Sequence, residues 1–276
     1  MLSPAAPRRV SVMPIPSAGY PRAAAVSPRL QVVETTDSTN ADVGSAVAAD
    51  EAAWPHLSAL VTTDQRRGRG RLDRTWVAPA GTALAVSVVV RVAGLPLEAR
   101  GWIPLVAGAA MTRAIQVQLR GTGNTARAKW PNDVLVDGAK ICGILAEAVP
   151  AVPDAVVVGA GVNTRMSRGD LPVSTATSFE ALGCECDDDQ LLADFLTALG
   201  EQVSALVAAH GDAAAAGVRG EVEALCATIG SDVRVALPDG TELVGQAVRL
   251  DAAGRLVVSA GGAEVPVAAG DVTHVR

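Results

Sequence analysis

Apolar positions along the chain follow two rhythms. Short runs rich in β-branched residues at Leu30 to Thr35, Ser58 to Thr63, Thr82 to Arg91 and Ala155 to Val162 are bounded by turn-forming residues and predict strands. Ile103 to Leu119 instead places apolar side chains at 106, 109, 110, 114 and 117, a helical spacing that predicts a helix lying on a sheet. A second long helix is predicted from Gln190 to Ala209, behind the capping acids Asp187 to Asp189, and Gly211 to Leu225 closes the main body. Asp37-Ser38-Thr39-Asn40 supplies N-cap residues before an alanine-rich helix ending near Ala49. Asp137-Gly138, set between two apolar runs, predicts a hairpin.

The texture changes at both ends. From Ile229 onward, strands of about five residues alternate with turns at Pro238-Asp239-Gly240, Ala252-Ala253-Gly254 and Gly261-Gly262, the pattern of a small SH3-like β-barrel. Residues 1–29 are rich in proline, alanine and arginine without a sustained period and read as a disordered leader. The expected organisation is therefore a leader (1–29), an α+β domain with helices packed on a mixed sheet (30–226) and a C-terminal barrel (227–276).

Composition narrows the function classes. Hydrophobic residues make up 49% of the 276, but only 3% are aromatic, so base stacking is poorly supplied and the core must rest on small aliphatic side chains. The net charge of −6 argues against a broad nucleic-acid footprint and makes any positive cluster local. No uninterrupted apolar run reaches the roughly 18–20 residues of a bilayer span, and prolines break up the N-terminus before a signal core can form; the expectation is a cytoplasmic protein without membrane contact. Cysteines 142, 184, 186 and 226 lack the spacing of a zinc site or a disulfide framework.

The local positive cluster is Gln65-Arg66-Arg67-Gly68-Arg69-Gly70-Arg71-Leu72-Asp73-Arg74-Thr75-Trp76, between two predicted strands. Glycines let backbone amides approach a ligand, and arginines add fork-shaped donors suited to phosphate or carboxylate oxygens; a solvated basic loop is the alternative. Lys129-Trp130-Pro131-Asn132-Asp133 follows, and the hairpin returns Lys140 and Gly143 beside it, giving one wall with two lysines, an acid and an amide. Asp133 is read either as an ion-pair partner of Lys129 or as an acid acting on substrate. Gly159-Ala160-Gly161-Val162-Asn163 ends an apolar strand where glycines permit close approach and Asn163 offers a donor and an acceptor. It lacks the Gly-x-Gly-x-x-Gly spacing of a dinucleotide fold.

Ser38-Thr39-Asn40, Gln65-x-x-Gly68-Arg69-Gly70-Arg71-x-x-Arg74-x-Trp76, Lys129-Trp130-Pro131-Asn132-Asp133 and Lys140-x-x-Gly143-Ile144-Leu145, in this order, resemble bacterial biotin protein ligases, over about residues 30–276. The leader differs from the winged DNA-binding domain of the bifunctional ligase-repressors, so the resemblance is to the monofunctional class; Asp73 stands where the family often has glycine. The resemblance implies the biotin/lipoate ligase-like fold and a two-step reaction. Biotin and ATP, with Mg2+, give biotinyl-5′-adenylate and pyrophosphate, and a lysine of a biotin carboxyl carrier domain of acyl-CoA carboxylase then takes the acyl group. It implies that Ser38, Thr39, Asn40 and Gln65 bind the biotin head, that Arg69, Gly70 and Arg71 cover the ligand, and that Lys140 meets the acyl-phosphate oxygens. Lys140, Arg71 and Asp133 become the expected catalytic residues. Gly68, Arg74, Trp76, Lys129, Asn132, Gly143 and Asn163 complete the expected ligand-binding set, with the metal ligands unassigned. Action without nucleic acid, as a monomer or homodimer, is part of the same expectation. A lipoate or octanoate transferase of the same superfold is one alternative, with less reason to keep the Gly-Arg-Gly-Arg loop; a non-enzymatic nucleic-acid or regulatory module, favoured only by the arginines, is the other.

Overall fold

A computed structural model describes residues 19–72, 74–237 and 239–275. Seven strands form a mixed sheet: β1 (Leu30–Val32), β2 (Ala59–Thr62), β5 (Ala83–Arg91), β6 (Ala126–Lys129), β7 (Asp133–Val136), β8 (Ala139–Ala148) and β9 (Ala155–Asn163). Their order is β1-β2-β5-β9-β8-β7-β6, parallel between β1 and β2 and antiparallel elsewhere. The remaining pair, β3 (Gly68–Arg69) and β4 (Thr75–Trp76), makes a small hairpin of its own from the arginine-glycine stretch. Asp137 and Gly138 turn β7 into β8 with φ of 49° and 85°, the left-handed pair that an Asp-Gly hairpin turn requires.

Strand alternation assigns the two faces. Leu84, Val86, Val88 and Val90 of β5 and Val156, Val158, Ala160 and Val162 of β9 enter the main core with α3 (Trp102–Gln118) and α4 (Asp188–Ala208). The opposite parity faces α2 (Thr39–Ala49), where Val43 and Val47 pack against Val89 and Val157. With a period of two, Ala85 and Ser87, Gly143, Leu145 and Glu147, and Gly159 and Gly161 share that second face. α2 covers only part of it, and the rest is free for a ligand.

The predicted helices appear with ends shifted by one or two residues. α4 starts at Asp188, with the Asp187 carboxylate accepting from Gln190 N. By length and composition α4 is the one described helix able to cross a membrane, whereas no apolar run of spanning length was expected. Acids at 188, 189 and 194 interrupt its sequence, and its apolar stripe is buried against α3. The leader expected through residue 29 is corrected over its last part: Pro21–Val26 form α1, whose Ala23 is fully buried, and the Asp189 carboxylate accepts from the backbone N–H groups of Arg22 and Ala23. Partners 166 and 167 residues away, invisible to local composition, order this segment; residues 1–18 lie outside the described residues.

After α5 (Val218–Leu225), the strands β10 (Asp232–Ala236), β11 (Glu242–Leu250), β12 (Leu256–Ala260), β13 (Ala263–Val267) and β14 (Asp271–His274) form an antiparallel sheet ordered β13-β12-β11-β10-β14, the small barrel-like unit expected. The Trp102 and Trp130 indoles donate to the carbonyls of Ala252 (2.8 Å) and Gly254 (3.2 Å), tying one of its turns to the main body.

Candidate active site

A cavity of about 380 Å³ opens on the face that α2 leaves uncovered. Ser38, Thr39, Asn40 and Gln65 line one part, the hairpin residues Arg69 to Arg71 and Arg74 to Trp76 another, and Lys129 to Asp133 with Lys140 and Gly143 a third. Four separated stretches of sequence thus converge, as the motif order implied. Gly68 and Asn163 do not line the cavity. Gly68 is a packing glycine: a Cβ there would lie 2.5 Å from Gln65 Nε2 and 2.7 Å from the Trp76 carbonyl oxygen. Asn163 is buried beneath the Thr177 segment, donating to Thr177 O at 2.9 Å with its Oδ1 unpartnered, so the expected ligand contact is absent from this geometry.

At the uncharged end, Ser38 caps α2 by accepting from Ala41 N, and Thr39 donates from both N and Oγ1 to Gln65 Oε1 at 2.9 and 3.0 Å. Ser87 Oγ lies 2.7 Å from Thr39 Oγ1 and donates to Asn40 Oδ1 at 2.5 Å. Asn40 Nδ2 donates to Leu145 O (3.1 Å) and to Glu147 Oε2 (2.8 Å). All of Asn40's polar atoms are therefore engaged by the protein, and its part in the site is to hold the wall rather than to offer a free amide. Glycines on β9 make this possible. A Cβ at Gly159 would lie 2.8 Å from Asn40 Cγ and closer still to Oδ1, and one at Gly161 would lie 2.6 Å from the Trp76 ring. The close approach that the Gly-Ala-Gly run permits is made by these two side chains.

The charged end holds cations with acids interleaved. Lys140 Nζ is 2.6 Å from Asp133 Oδ1 and 5.9 Å from the Trp76 ring centroid, so Asp133 pairs with Lys140, and the Lys129 pairing is not the one formed. The β7–β8 register explains this: Asp133 sits opposite Gly143, whose missing side chain leaves room for the Lys140 ammonium 3.2 Å from where a Cβ would be. Burial lowers the Lys129 pKa below its ordinary value, with Lys140 and Arg74 adding to the fall and Asp133 opposing it. Burial likewise lowers Arg71, again opposed by Asp133 and assisted by Arg74. Arg71 Nη1 donates to Asn132 Oδ1 at 3.2 Å, and Asn132 Nδ2 donates to Ile144 O at 2.7 Å, so the hairpin is tied to the opposite wall. Desolvated cations facing one cavity are the arrangement expected where anions bind.

Three contributors were missed by sequence reasoning. Ser87 is the one hydroxyl in the apolar strand from Ala83 to Val90, and Glu147 the one carboxylate of β8; each breaks its strand's pattern, and that was the available signal. Asp271 belongs to β14, yet it pairs with Arg74 and lines the cavity together with Val272 and Thr273. Nothing local distinguishes it from the other acids of the C-terminal unit. Arg66 and Arg67 point away, toward Asp64 (3.3 Å) and Asp37 (3.9 Å).

A mixed sheet carrying a basic hairpin over a cavity is the setting of this site, and the chain belongs to the biotin/lipoate A/B protein ligase family, whose model matches residues 32–163. Within that family, a Mycobacterium tuberculosis protein named biotin–[acetyl-CoA-carboxylase] ligase is 38% identical over 249 residues, covering 90% of each chain. The fold is shared with a biotin protein ligase from Aquifex aeolicus solved with biotin and ATP (TM-score 0.71, 23% identity, 90% of this chain and 99% of that one). It is shared as well with a biotin protein ligase from Leishmania major solved with biotinyl-5-AMP (TM-score 0.56, 23% identity, 90% and 99%).

Proposed function

We infer that this chain activates biotin with ATP to biotinyl-5′-adenylate and transfers the biotinyl group to a lysine of a biotin carboxyl carrier protein of an acyl-CoA carboxylase; the Mycobacterium tuberculosis relative is named as a ligase of biotin and acetyl-CoA carboxylase. The observation that carries the reading is the gathering of Arg69, Arg71, Arg74, Lys129 and Lys140 round one cavity whose other end is uncharged and hydrogen-bonding. A neutral head group fits the Ser38, Thr39 and Gln65 end, and the anionic carboxylate and phosphates fit the cationic end.

In the first step a biotin carboxylate oxygen attacks the α-phosphorus of ATP, the bond to the α,β-bridging oxygen breaks, and pyrophosphate leaves with the electron pair. Two anions must meet. Lys140 offsets their repulsion and stabilises the charge of the transition state, and the hairpin, with Arg71 over the finished adenylate, excludes water from the mixed anhydride. In the second step a neutral lysine amine attacks the acyl carbon, the bond to AMP breaks, and the proton leaves the new amide nitrogen. Asp133 is proposed to align that amine and accept its proton. Mg2+ is proposed to arrive with ATP. Asp133 and Asp271, the carboxylates on the cavity, would be the hard oxygen donors able to join the phosphate oxygens in holding it. The proposal includes the division at residues 226/227, cytoplasmic residence, a monomer or homodimer, and action without DNA.

Pyrophosphate release on titration with biotin, lipoate and DNA tests the assignment. Release with biotin alone is expected; release with lipoate instead would turn it to the lipoate or octanoate alternative, and binding of DNA would add a function outside this proposal.

A further inference from the structure

We propose that Glu147 is a positioning residue that latches the basic hairpin over the cavity. The proposal rests on the biotin ligase reading but concerns a residue outside the cavity lining, on the far side of the hairpin. One carboxylate oxygen of Glu147 accepts two hydrogen bonds, from Asn40 Nδ2 and from Arg69 Nη2, both at 2.8 Å. Asn40 is buried and belongs to the rigid wall of α2 and the sheet; Arg69 is half-exposed and belongs to the hairpin. Glu147 thus joins the wall to the hairpin.

Hydrogen-bond direction makes the wall side of this joint rigid. Turning the Asn40 amide over would aim its oxygen at Leu145 O and Glu147 Oε2, two acceptors, so the amide has one satisfied orientation. In that orientation Ser87 donates to Oδ1, and Gly159 provides the space the amide needs. The carboxylate is held from behind and presents its negative charge to Arg69, where an uncharged side chain would hold the guanidinium less firmly. The Arg69–Glu147 pair is partly exposed, so its strength is that of a surface pair and its loss corresponds to at most about a fivefold effect. A latch of that strength lets the hairpin open for biotin and for the carrier lysine, yet slows escape of the adenylate.

The experiment measures the dissociation rate of biotinyl-5′-adenylate from the full chain and from Arg69→Ala, Glu147→Ala and Arg69→Ala/Glu147→Ala. Glu147→Ala is expected to release adenylate up to about fivefold faster, and the double variant little faster than Arg69→Ala alone, because the hairpin contact of Glu147 is the one that Arg69→Ala already breaks. Raising the salt to about 1 M should narrow the gap between the parent and Glu147→Ala, which a purely structural role would not do. Glu147→Gln, which keeps the shape and the acceptor oxygen, serves if the alanine variant fails to fold and should fall between parent and alanine. Unchanged release in Glu147→Ala or Glu147→Gln, or effects of the two sites that multiply, overturns the latch. If the parent chain releases no pyrophosphate from biotin and ATP, it is the biotin ligase reading that fails.

Discussion

Gly159→Ala adds one methyl group at the place where the binding wall is most tightly packed. The new Cβ would lie 2.8 Å from Asn40 Cγ and 3.0 Å from its Nδ2, against an ordinary contact of about 3.5–4 Å. The asparagine has nowhere to go, since Ser87, Leu145 and Glu147 hold it at 2.5, 3.1 and 2.8 Å. Overpacking costs about 1–3 kcal/mol, and losing one or two of those hydrogen bonds adds about 1 kcal/mol each. Alanine's smaller unfolded-chain entropy returns about 0.4–1 kcal/mol. A net loss of about 1–4.5 kcal/mol follows, or at about 3 °C per kcal/mol roughly 3–14 °C in Tm for a chain of this size. Urea unfolding with a parallel biotin titration measures both stability and site. Asn40→Ala in the same chain should relieve the overlap, so that the double variant is destabilised by about 1 kcal/mol or more less than the sum of the single variants. Stability of Gly159→Ala within about 0.5 kcal/mol of the parent, or strict additivity with Asn40→Ala, would refute the packing argument.

Lys140→Ala is expected to lose about 3–4 kcal/mol of transition-state stabilisation, seen as little pyrophosphate release, whereas Arg71→Gly should keep release and spill adenylate that labels exposed lysines of bystander proteins; a non-leaking Arg71→Gly chain would remove Arg71 from the covering role. Asp133→Asn should slow carrier biotinylation more than adenylate synthesis in single turnovers, and equal slowing would confine Asp133 to holding Lys140, its 2.6 Å partner. His56 is lowered below its ordinary pKa of 6.5 by burial and then by Arg91, and its Nδ1 accepts from Arg91 N, so the folded state prefers the neutral ring. The unfolded chain therefore takes up the proton first as pH falls, and the stability present above about 6.5 declines below it. Urea unfolding at pH 7.5 and 5.5 should show that decline, with a shallower slope in His56→Gln; equal slopes would mean that His56 does not contribute.

The sequence by itself determined what depends on neighbours along the chain. Strand runs, the spacing of the Trp102–Gln118 helix and the Asp137-Gly138 turn are local preferences, and each was legible to within a residue or two, apart from the first strand, which ends at Val32 and not Thr35. The cationic motif residues stood out as candidates too, because Arg and Lys carry the chemistry of anion binding in their own side chains and Gly leaves backbone amides open to approach. Only the tertiary structure decided which partner each of them meets. Asp133 faces Lys140 because a strand register places it there, and Arg74 meets Asp271 from a strand 197 residues later. Asn40 turns inward because Ser87 and Glu147 occupy the same sheet face, and α1 forms because Asp189 accepts its first N–H groups. Hydrogen bonds and ion pairs act over about 3 Å, and only folding brings together groups a hundred or more residues apart.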